Sequence, residues 1–592
     1  MKRADRSRLR TAPGAAKAGA GSNAIRECAP RRMVQACLPD GRIFEARPGT
    51  SLKSLLRIAN RRSAFPTVAA VVNGRLRELT ATIDRDSDLK PVTLADGDGM
   101  RIYRRSLSFL LLTAASEVFP DAELYIEHAA TTSGAYFCEV RNREPFGQKE
   151  LQKIEERMRD IVERDAPITS AQVPLREAID LFQARGEEDK ARLLAHKERE
   201  TVTLYSLRGR RDHLGGFMVP SAGCLNSFAL HAFHKGFVLQ FPHLHKPTEL
   251  STIKPYPKLF AVFEESGNWL DRLGIRSTGS LNDAIVEGRL PEISLVAEAL
   301  HEACIARIAT DIAGLRNRIR VVLIAGPSSS GKTTFSKRLA VQLLANGLRP
   351  YPVSLDDYFV ERYRTPRDEN NQINYETIRA LDLELFNDHL LALIEGRQVQ
   401  LPRYVFKTGT REMGPVVTLG KGHLLIVEGI HGLNPQLIQG FPADKVYRVY
   451  VSALTQLNLD RHNRINTTDC RLIRRIVRDA ATRGYNAAAT LARWDSVVAG
   501  EKQNIFPFQE NSDAIFNSAL VHELAVLRPF ADPLLLQVRP DTPNYLEANR
   551  LLSLLQWFRP APPDHVPDNS ILREFIGGSI LETFRLWPHR EE

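Results

Sequence analysis

Residues 321–334 contain the residue types that a protein needs to hold the phosphates of a nucleotide. An apolar run, 321–325, leads into a glycine-rich turn that ends in Lys332 and Thr333. Glycines let such a turn point its backbone N–H groups inward, a lysine adds a cation beside the β- and γ-phosphates, and a threonine hydroxyl reaches Mg²⁺. The predicted phosphate-binding residues are Gly326, Pro327, Ser328, Ser329, Ser330, Gly331, Lys332, Thr333 and Thr334.

A chance glycine- and serine-rich turn is the alternative interpretation of this segment. Phe335, Leu339 and Leu343 follow the turn at helical spacing, which gives the segment the strand, loop and helix order of a phosphate-binding loop. The pattern therefore predicts binding of ATP or GTP, with Mg²⁺ as the accompanying metal ion.

Acidic residues follow two further predicted strands. Asp356 and Asp357 come after the run 348–354, and Glu428 ends the apolar run 423–428. The carboxyl ends of strands in an open parallel sheet gather ligands, so Asp356 is predicted to take a proton from an acceptor hydroxyl or to hold Mg²⁺. Glu428 is predicted to meet the metal ion. A turn or helix-capping pair is the alternative for the two aspartates.

A set of arginines recurs at helical spacing later in the chain. Its members are Arg471, Arg474, Arg475 and Arg478. A helix would place all of them on one face, where clustered cations repel one another unless an anion is present. The pattern predicts a lid that closes over a transferring phosphate. A solvated face partly neutralised by Asp469 and Asp479 is the alternative.

The second half of the chain resembles the uridine kinase and phosphoribulokinase family. The segments that carry the resemblance are 326–334, 354–359, 402–411, 428–430 and 471–479. The resemblance implies a P-loop kinase domain over 301–545. Such a domain would transfer the γ-phosphoryl group of ATP to a small hydroxyl-bearing substrate, and a nucleoside 5′-hydroxyl is the expected acceptor.

The resemblance also implies roles for individual residues. The catalytic residues would be Asp356 as base with Lys332, Arg471 and Arg474. The Mg²⁺ ligands would be Thr333, Glu428 and Asp356. The substrate-binding residues would be Glu376, Tyr358, Tyr404 and Arg411.

The chain departs from the family pattern on the acceptor side. The ribose-binding Asn-Phe-Asp stretch reads 374–376 here and ends in Glu376, whose carboxylate can still accept two hydroxyl hydrogen bonds. The base-contacting histidine of the family is replaced by Gly409. A purine nucleoside or a non-nucleoside hydroxyl substrate such as a sugar phosphate is therefore an alternative acceptor. The alternative to an enzyme is a regulator that associates with RNA or the ribosome and is switched by nucleotide binding.

Residues 33–235 resemble the N-terminal portion of threonyl-tRNA synthetases. The segments 38–41, 72–74, 153–158 and 219–223 carry this resemblance. It implies a β-grasp TGS-like domain over 33–104, with its last strand expected at 97–103, and an α+β editing-like domain over 105–235, with a helix at 148–164. The editing His and Cys ligands are replaced by Arg105, Phe109, Leu214 and Met218, so editing is not expected.

The fold class predicted for the whole chain is multidomain, α/β and α+β. Residues 1–32 hold nine Lys or Arg against two acids, within a chain of net charge +10, and are expected to form a disordered basic arm. Through this arm and the TGS-like region RNA is a possible partner. A connector is expected over 236–300 and a C-terminal tail over 546–592. The absence of a long apolar run and of paired cysteine spacing favours a cytoplasmic protein without membrane contact, and an oligomer is possible.

Overall fold

The protein is described by a computed structural model that covers residues 32–61, 63–130, 134–254, 256–368, 371–420, 422–455 and 457–584. The predicted basic arm lies outside the described residues, apart from its last position, Arg32. No helix among the described residues combines the length and the apolar character that crossing a membrane requires.

The N-terminal domain is a mixed sheet of strand order β2-β1-β7-β4-β5 with one helix against it. Its elements are β1 (Val34–Cys37), β2 (Ile43–Ala46), β3 (Thr50–Ser51), α1 (Leu52–Ala59), β4 (Thr67–Val72), β5 (Arg75–Glu78), β6 (Thr82–Ile83) and β7 (Ser87–Thr93). Ser51 caps α1 by accepting a hydrogen bond from the Ser54 N–H, and Leu52, Leu55 and Leu56 bury the helix face that packs on the sheet.

The second domain is α+β, as predicted. Its elements are α2 (Gly97–Val118), β8 (Leu124–Ala130), β9 (Ala135–Val140), α3 (Gln148–Glu163), β10 (Ile168–Pro174), α4 (Leu175–Ala184), α5 (Glu188–Ala195), β11 (Thr201–Leu207), β12 (Arg210–Asp212), β13 (Ala229–Phe233) and β14 (Gly236–Gln240). An antiparallel sheet of order β13-β14-β9-β8 shares its core with α2 and α3. The predicted helix over 148–164 is confirmed to within one residue.

Two expectations for this half of the chain are wrong. The segment 97–103 is the start of α2 and not a strand, and the last strand of the first sheet is β7. The sequence obscures β7 because Pro91 interrupts its pattern, although Leu89 and Val92 are buried. The second domain also extends past residue 235, since β14 is fully buried and pairs with both β13 and β9.

The expected connector over 236–300 is largely helical. It contains α6 (Pro257–Leu273), α7 (Thr278–Val286) and the start of α8 (Leu290–Gly314). Leu281 and Ile293 are buried in the same core as the glycine-rich-loop domain. The proline and aromatic residues that suggested a linker in fact begin a helix at Pro257 and contribute packing through Phe263.

The kinase-like domain is built on a five-stranded sheet of order β16-β19-β15-β20-β21 in which every pairing is parallel. Its elements are β15 (Val321–Ala325), α9 (Lys332–Ala345), β16 (Arg349–Ser354), α10 (Leu383–Ile394), β17 (Val399–Val405), β18 (Thr410–Val417), β19 (His423–Glu428), β20 (Val446–Ser452), α11 (Thr467–Arg478), α12 (Ala487–Asn504), β21 (Ala514–Asn517) and α13 (Glu523–Leu536). The central strand β15 is buried throughout, as an apolar run in a parallel sheet should be.

The register of this sheet sets the position of the acidic residues. Glu428 pairs with Ile324 on β15 and with Ser354 on β16. The loop after β15, the turn after β16 and the end of β19 therefore open at the same edge.

The predicted C-terminal tail is wrong for its described part. The segment contains α14 (Tyr545–Leu555) and the short helix α15 (Arg573–Ile576). Leu551, Phe558 and Ile571 are buried in the core of the kinase-like domain. The Pro-rich stretch 559–568 suggested an exit from the fold, whereas it turns the chain back onto the domain.

The second domain and the kinase-like domain meet through the loop between β20 and α11. Asn463 donates from Nδ2 to the His213 carbonyl at 3.0 Å and accepts from the Gly215 N–H at 2.9 Å. Arg461 forms an ion pair with Asp189, with 2.7 Å between Nε and Oδ1.

Candidate active site

The phosphate-binding loop has the conformation that its glycines predict. Gly331 caps α9 with a left-handed φ of +85°, so Lys332 is the first residue of the helix. The Lys332 Nζ donates to the Pro327 carbonyl at 3.1 Å. Within the described residues, the buried hydroxyls of Ser329 and Ser330 have no hydrogen-bond partner. The loop therefore retains donors that a nucleotide phosphate would satisfy.

A set of oxygen ligands lies beside this loop. The Thr333 hydroxyl donates to Glu428 Oε1 at 3.2 Å. Burial raises the pKa of Glu428 to about 7, with Lys332 opposing the rise and Asp356 adding to it. Burial also raises the pKa of Asp356, again opposed by Lys332. Two carboxyls and a hydroxyl form the hard-oxygen donor set that Mg²⁺ prefers, so these residues fit that ion.

The two adjacent aspartates have different surroundings. Asp357 Oδ1 accepts a hydrogen bond from the Tyr404 N–H at 3.2 Å. The short turn that contains both aspartates is capped by Ser354, whose hydroxyl accepts from the Asp356 N–H at 3.3 Å. Asp356 is therefore not needed as a cap, and its carboxyl lies in the field of Lys332.

Glu376 lies at the same site. Burial raises the pKa of Glu376 to about 7, the Glu501 carboxylate adds to the rise, and Arg475 and Lys332 oppose it. The side chain packs so closely on α12 that a Cβ at Gly500 would lie 2.3 Å from the Glu376 Cβ. Lys332 thus acts on Asp356, Glu376 and Glu428 together.

The predicted arginine face is helical, but its members divide into two kinds. Arg471 and Arg474 have only 2% and 0% of their surface exposed. Arg471 pairs with Glu501 and Arg474 pairs with Glu523, so both are committed to buried carboxylates. Both also reach loop carbonyls, since Arg471 Nη1 lies 3.1 Å from the Ser328 oxygen. These two arginines hold the phosphate-binding loop by its carbonyls and do not form an open lid.

The other two arginines are more accessible. Arg475 Nη1 donates to the Ser328 hydroxyl at 2.8 Å, and Arg478 lies beside Asp479. Arg478 and Arg483 both lower the pKa of Asp356. Arg483 was missed by the sequence analysis, because it follows α11 in a short π-helical turn that breaks the regular spacing.

Two of the predicted substrate residues are engaged by other side chains of the protein. Tyr358 is 1% exposed, packs on Phe386 and lies with its hydroxyl 3.2 Å from His389 Nδ1. Arg411 donates to Asp382 Oδ2 at 2.9 Å. The expectation for Tyr358 is corrected, since its side chain belongs to the core. The substrate role of Arg411 stays a prediction, with its guanidinium paired to Asp382.

Tyr404 belongs to an aromatic cluster next to Glu376. Its ring packs on Phe359 and Phe406, and its hydroxyl lies 3.4 Å from the Tyr375 hydroxyl. The rings of this cluster meet edge to face, and Phe406 is its exposed member near the predicted acceptor site.

Gly409 is adjacent to a residue that the sequence analysis missed. A Cβ at Gly409 would lie 2.6 Å from Nε and 2.8 Å from Cζ of Arg362. Arg362 also donates from its backbone N–H to the Gly409 carbonyl at 2.9 Å and from Nε to the Tyr375 hydroxyl at 3.3 Å. A guanidinium thus occupies the space that any side chain at 409 would need. Nothing in the local motif reveals this contact, because Arg362 precedes β17.

The positions of the editing ligands are packed in the second domain. Phe109, Leu214 and Met218 are buried in its core. Arg105 donates from Nη1 to the Phe217 carbonyl at 2.9 Å, and its guanidinium lies against Gly216. The four positions therefore form packing contacts among the described residues.

A parallel sheet with a glycine-rich loop after its central strand defines a P-loop nucleotide-binding domain. Residues 321–525 match the sequence model of the phosphoribulokinase/uridine kinase family. This region is a kinase domain of that family.

The N-terminal region is similar to threonyl-tRNA synthetases. A threonine–tRNA ligase of Burkholderia lata is 34% identical over 199 residues, which cover 33% of this chain and 31% of that protein. A threonine–tRNA ligase of Francisella tularensis subsp. novicida is 28% identical over 198 residues, again 33% of this chain and 31% of that protein. The chain thus spans about a third of the length of these relatives.

Two solved structures are similar to part of the chain. One is described as a possible uridine kinase from Bacillus stearothermophilus, at 26% identity, a TM-score of 0.22, and coverage of 25% of this chain and 79% of that one. The other is phosphoribulokinase from Rhodobacter spheroides, at 18% identity, a TM-score of 0.23, and coverage of 33% and 68%. These TM-scores are low, and the family assignment rests on the sequence model.

Proposed function

We propose that this chain is an ATP-dependent kinase that transfers the γ-phosphoryl group to the 5′-hydroxyl of a nucleoside. The observation that carries the proposal is the position of Lys332, whose charge acts on Asp356, Glu376 and Glu428 at one edge of the sheet. A phosphate cradle, oxygen ligands and a carboxylate base in one place are the parts that phosphoryl transfer requires.

Each residue has a role in the proposed reaction. The acceptor oxygen forms a bond to the γ-phosphorus while the bond to the bridging oxygen of ADP breaks, and Asp356 takes the hydroxyl proton. Thr333, Glu428 and Asp356 would hold Mg²⁺, which neutralises phosphate charge when bound. Lys332 and Arg475 balance charge on the phosphates, and Glu376 accepts hydrogen bonds from the sugar hydroxyls.

A second acceptor class is favoured by one observation. Arg362 fills the space beside Gly409 and presents a guanidinium next to the Tyr375 hydroxyl. A guanidinium binds phosphate or carboxylate groups with two parallel hydrogen bonds, whereas an uncharged pyrimidine does not need one. An anionic hydroxyl substrate such as a sugar phosphate is therefore the alternative acceptor.

One experiment separates these possibilities. ADP release by the purified chain is measured with Mg²⁺-ATP against uridine, cytidine, adenosine, guanosine and a set of sugar phosphates, with and without tRNA. We expect release that depends on one nucleoside and disappears in Lys332→Ala. Release that depends on a sugar phosphate would identify the alternative acceptor, and release that requires tRNA would instead favour an RNA-linked regulator. No release with any acceptor would contradict the kinase proposal.

A further inference from the structure

The C-terminal segment folds over the phosphate-binding loop. Ile571 lies directly against Gly331, since a Cβ at that glycine would be 2.5 Å from the Ile571 Cγ2 atom. Glu574 Oε2 accepts hydrogen bonds from the Thr334 N–H at 3.3 Å and from the Thr334 hydroxyl at 2.8 Å. Thr334 lies in the first turn of α9, where free N–H groups and the helix dipole favour an anion. A carboxylate of the chain itself therefore uses donors predicted to face a nucleotide phosphate.

The other neighbours of the Glu574 carboxylate are also groups that would surround a bound phosphate. Its Oε1 lies 3.8 Å from Arg478 Nη1 on α11. Its charge also reaches the metal-ligand side of the site, where it raises the pKa of Glu428. Glu574 thus lies between the helix start, an arginine and the predicted Mg²⁺ ligands. A nucleotide phosphate placed there would meet both the same attractive partners and the repulsion of this carboxylate.

The segment is attached by the buried side chains of Ile571, Leu572 and Phe575 and by polar contacts of the residues beside them. Arg573 donates from Nη2 to the Val566 carbonyl at 2.6 Å, and Lys337 donates from Nζ to the Leu581 carbonyl at 2.6 Å. Phe575 lies under the Arg474 guanidinium at 5.1 Å from its ring centroid. The helix α15 spans only Arg573–Ile576, and a helix of one turn has little stability of its own.

The loop carries a second internal carboxylate that differs from Glu574. Glu501 accepts from the Ser328 N–H at 2.9 Å, but it is fully buried and paired with Arg471. Removing that charge from its partner would leave an unpaired ion in the interior, so Glu501 stays in place. The Glu574 side chain is 16% exposed and its nearest arginine nitrogen is 3.8 Å away, so it is the carboxylate that can leave.

We propose that residues 570–584 are an internal competitor for the donor site, in which Glu574 takes the position of a nucleotide phosphate oxygen. The inference rests on the proposed function, because it assumes that the loop binds ATP. Nucleotide binding and closure of the segment exclude each other at Thr334. The apparent affinity for nucleotide is therefore reduced by the fraction of molecules in which the segment is closed.

The test compares nucleotide affinity in the full chain. The dissociation constant of Mg²⁺-ADP is measured by calorimetry for the wild type, for Glu574→Ala and for Asp564→Ala, an exposed carboxylate in the same part of the chain. Glu574→Ala removes the competing carboxylate together with its hydrogen bonds to Thr334. ADP should therefore bind about tenfold more tightly to this variant. Asp564→Ala should bind as the wild type does. Equal affinities of Glu574→Ala and the wild type would overturn the inference.

A second measurement reads the segment directly. Hydrogen exchange of the wild-type amides over 570–584 should become faster when Mg²⁺-ADP is bound, while the amides of 326–334 become slower. Unchanged or slower exchange in 570–584 would show a clamp on the nucleotide and overturn competition. Lys332-dependent kinase activity together with either negative result would leave the proposed function standing. No ADP binding in any variant would overturn both.

Discussion

Arg471 and Glu501 form a two-pronged ion pair beneath the phosphate-binding loop, with 2.8 Å between Nη2 and Oε2. The same glutamate accepts the Ser328 N–H at 2.9 Å. The pair therefore fixes the loop to α11 and α12 at once. Arg474 pairs with Glu523 through one nitrogen and also reaches the Ser329 carbonyl, so half of the arginine face serves to hold the loop in shape.

This arrangement separates the effects of neighbouring arginines. Arg471→Met leaves Glu501 buried without its cation and should lower the free energy of unfolding by about 3–5 kcal/mol. Arg475→Met removes a guanidinium that is 12% exposed and pairs with Asp479, but Asp479 keeps Arg478 as a second cation, so the change should cost less, about 1–2 kcal/mol, while turnover falls. Urea denaturation and ADP release on both variants measure the two effects. Similar stability losses in the two proteins would contradict the division of the arginines.

Lys332→Ala should abolish phosphoryl transfer and leave the fold intact. The lysine follows the phosphate-binding loop, and its side chain makes a hydrogen bond to the Pro327 carbonyl, whose loss should cost only about 1 kcal/mol. Turnover and the thermal midpoint are measured beside Lys153→Ala, which removes an exposed lysine on α3. Normal turnover in Lys332→Ala would exclude the loop as the donor site.

Asp356→Asn should bind ATP normally and lose about 10²–10⁴-fold in kcat, because the amide cannot take the hydroxyl proton. Asp357→Asn is the matched control, since its carboxylate is engaged by the Tyr404 N–H. The control should lose less in kcat and more in acceptor affinity. Binding of ATP is measured by calorimetry and kcat by single-turnover assay. Equal kcat values for the two variants would remove Asp356 from the role of base.

The raised carboxyl pKa values predict how activity changes with pH. The pKa of Glu376 and of Glu428 is about 7 without nucleotide, so both are largely protonated at pH 6. Because the charged forms are needed, kcat/KM should fall at least about tenfold for each pH unit well below 7. The profile of kcat/KM between pH 5.5 and about 8.5 measures this. A flat profile would contradict it.

Stability should change with pH in the opposite direction. A folded pKa of about 7 against an ordinary value of 4.5 means that the folded state holds the Glu428 proton more tightly than the unfolded state does. The stability that Glu428 contributes is fully present below pH 4.5 and is lost as the pH rises through about 7. Glu428→Gln should therefore raise the free energy of unfolding at high pH by about 1–3 kcal/mol, and less at low pH.

Arg362→Gln tests the acceptor class. If the acceptor is anionic, loss of the guanidinium should raise its KM about tenfold or more with little change in KM for ATP. With a nucleoside acceptor the KM should change little. A steady-state comparison with the best nucleoside and the best sugar phosphate measures both. Gly409→Ala is informative as well, because the new Cβ must displace Arg362 and adopt a φ of +77°.

The parts of the site that follow one another in sequence could be predicted. The strand 321–325, the loop after it and the helix carrying the arginines all have the expected positions, because local spacing encodes them. The partners of those residues could not be predicted. Glu501, Glu523, Arg362 and Glu574 reach the site from distant segments, and only tertiary packing brings them there.

The predicted domain borders are wrong for a related reason. Pro-rich stretches suggested a connector and a tail, yet the helices beside them carry buried apolar faces, as Ala548, Leu551 and Leu555 show. Proline marks a change of chain direction and does not by itself mark the end of a domain.

The packing of α8 and α14 on the phosphotransfer core has a practical consequence for fragment design. An expression fragment cut at 301 and 545 would lose Ile293 and Leu551 from a shared interior. The exposed apolar surface would favour aggregation of the truncated product. Cloning boundaries drawn from the sequence pattern alone would therefore yield insoluble material, and a soluble fragment needs to begin before α7 and retain the chain through α15.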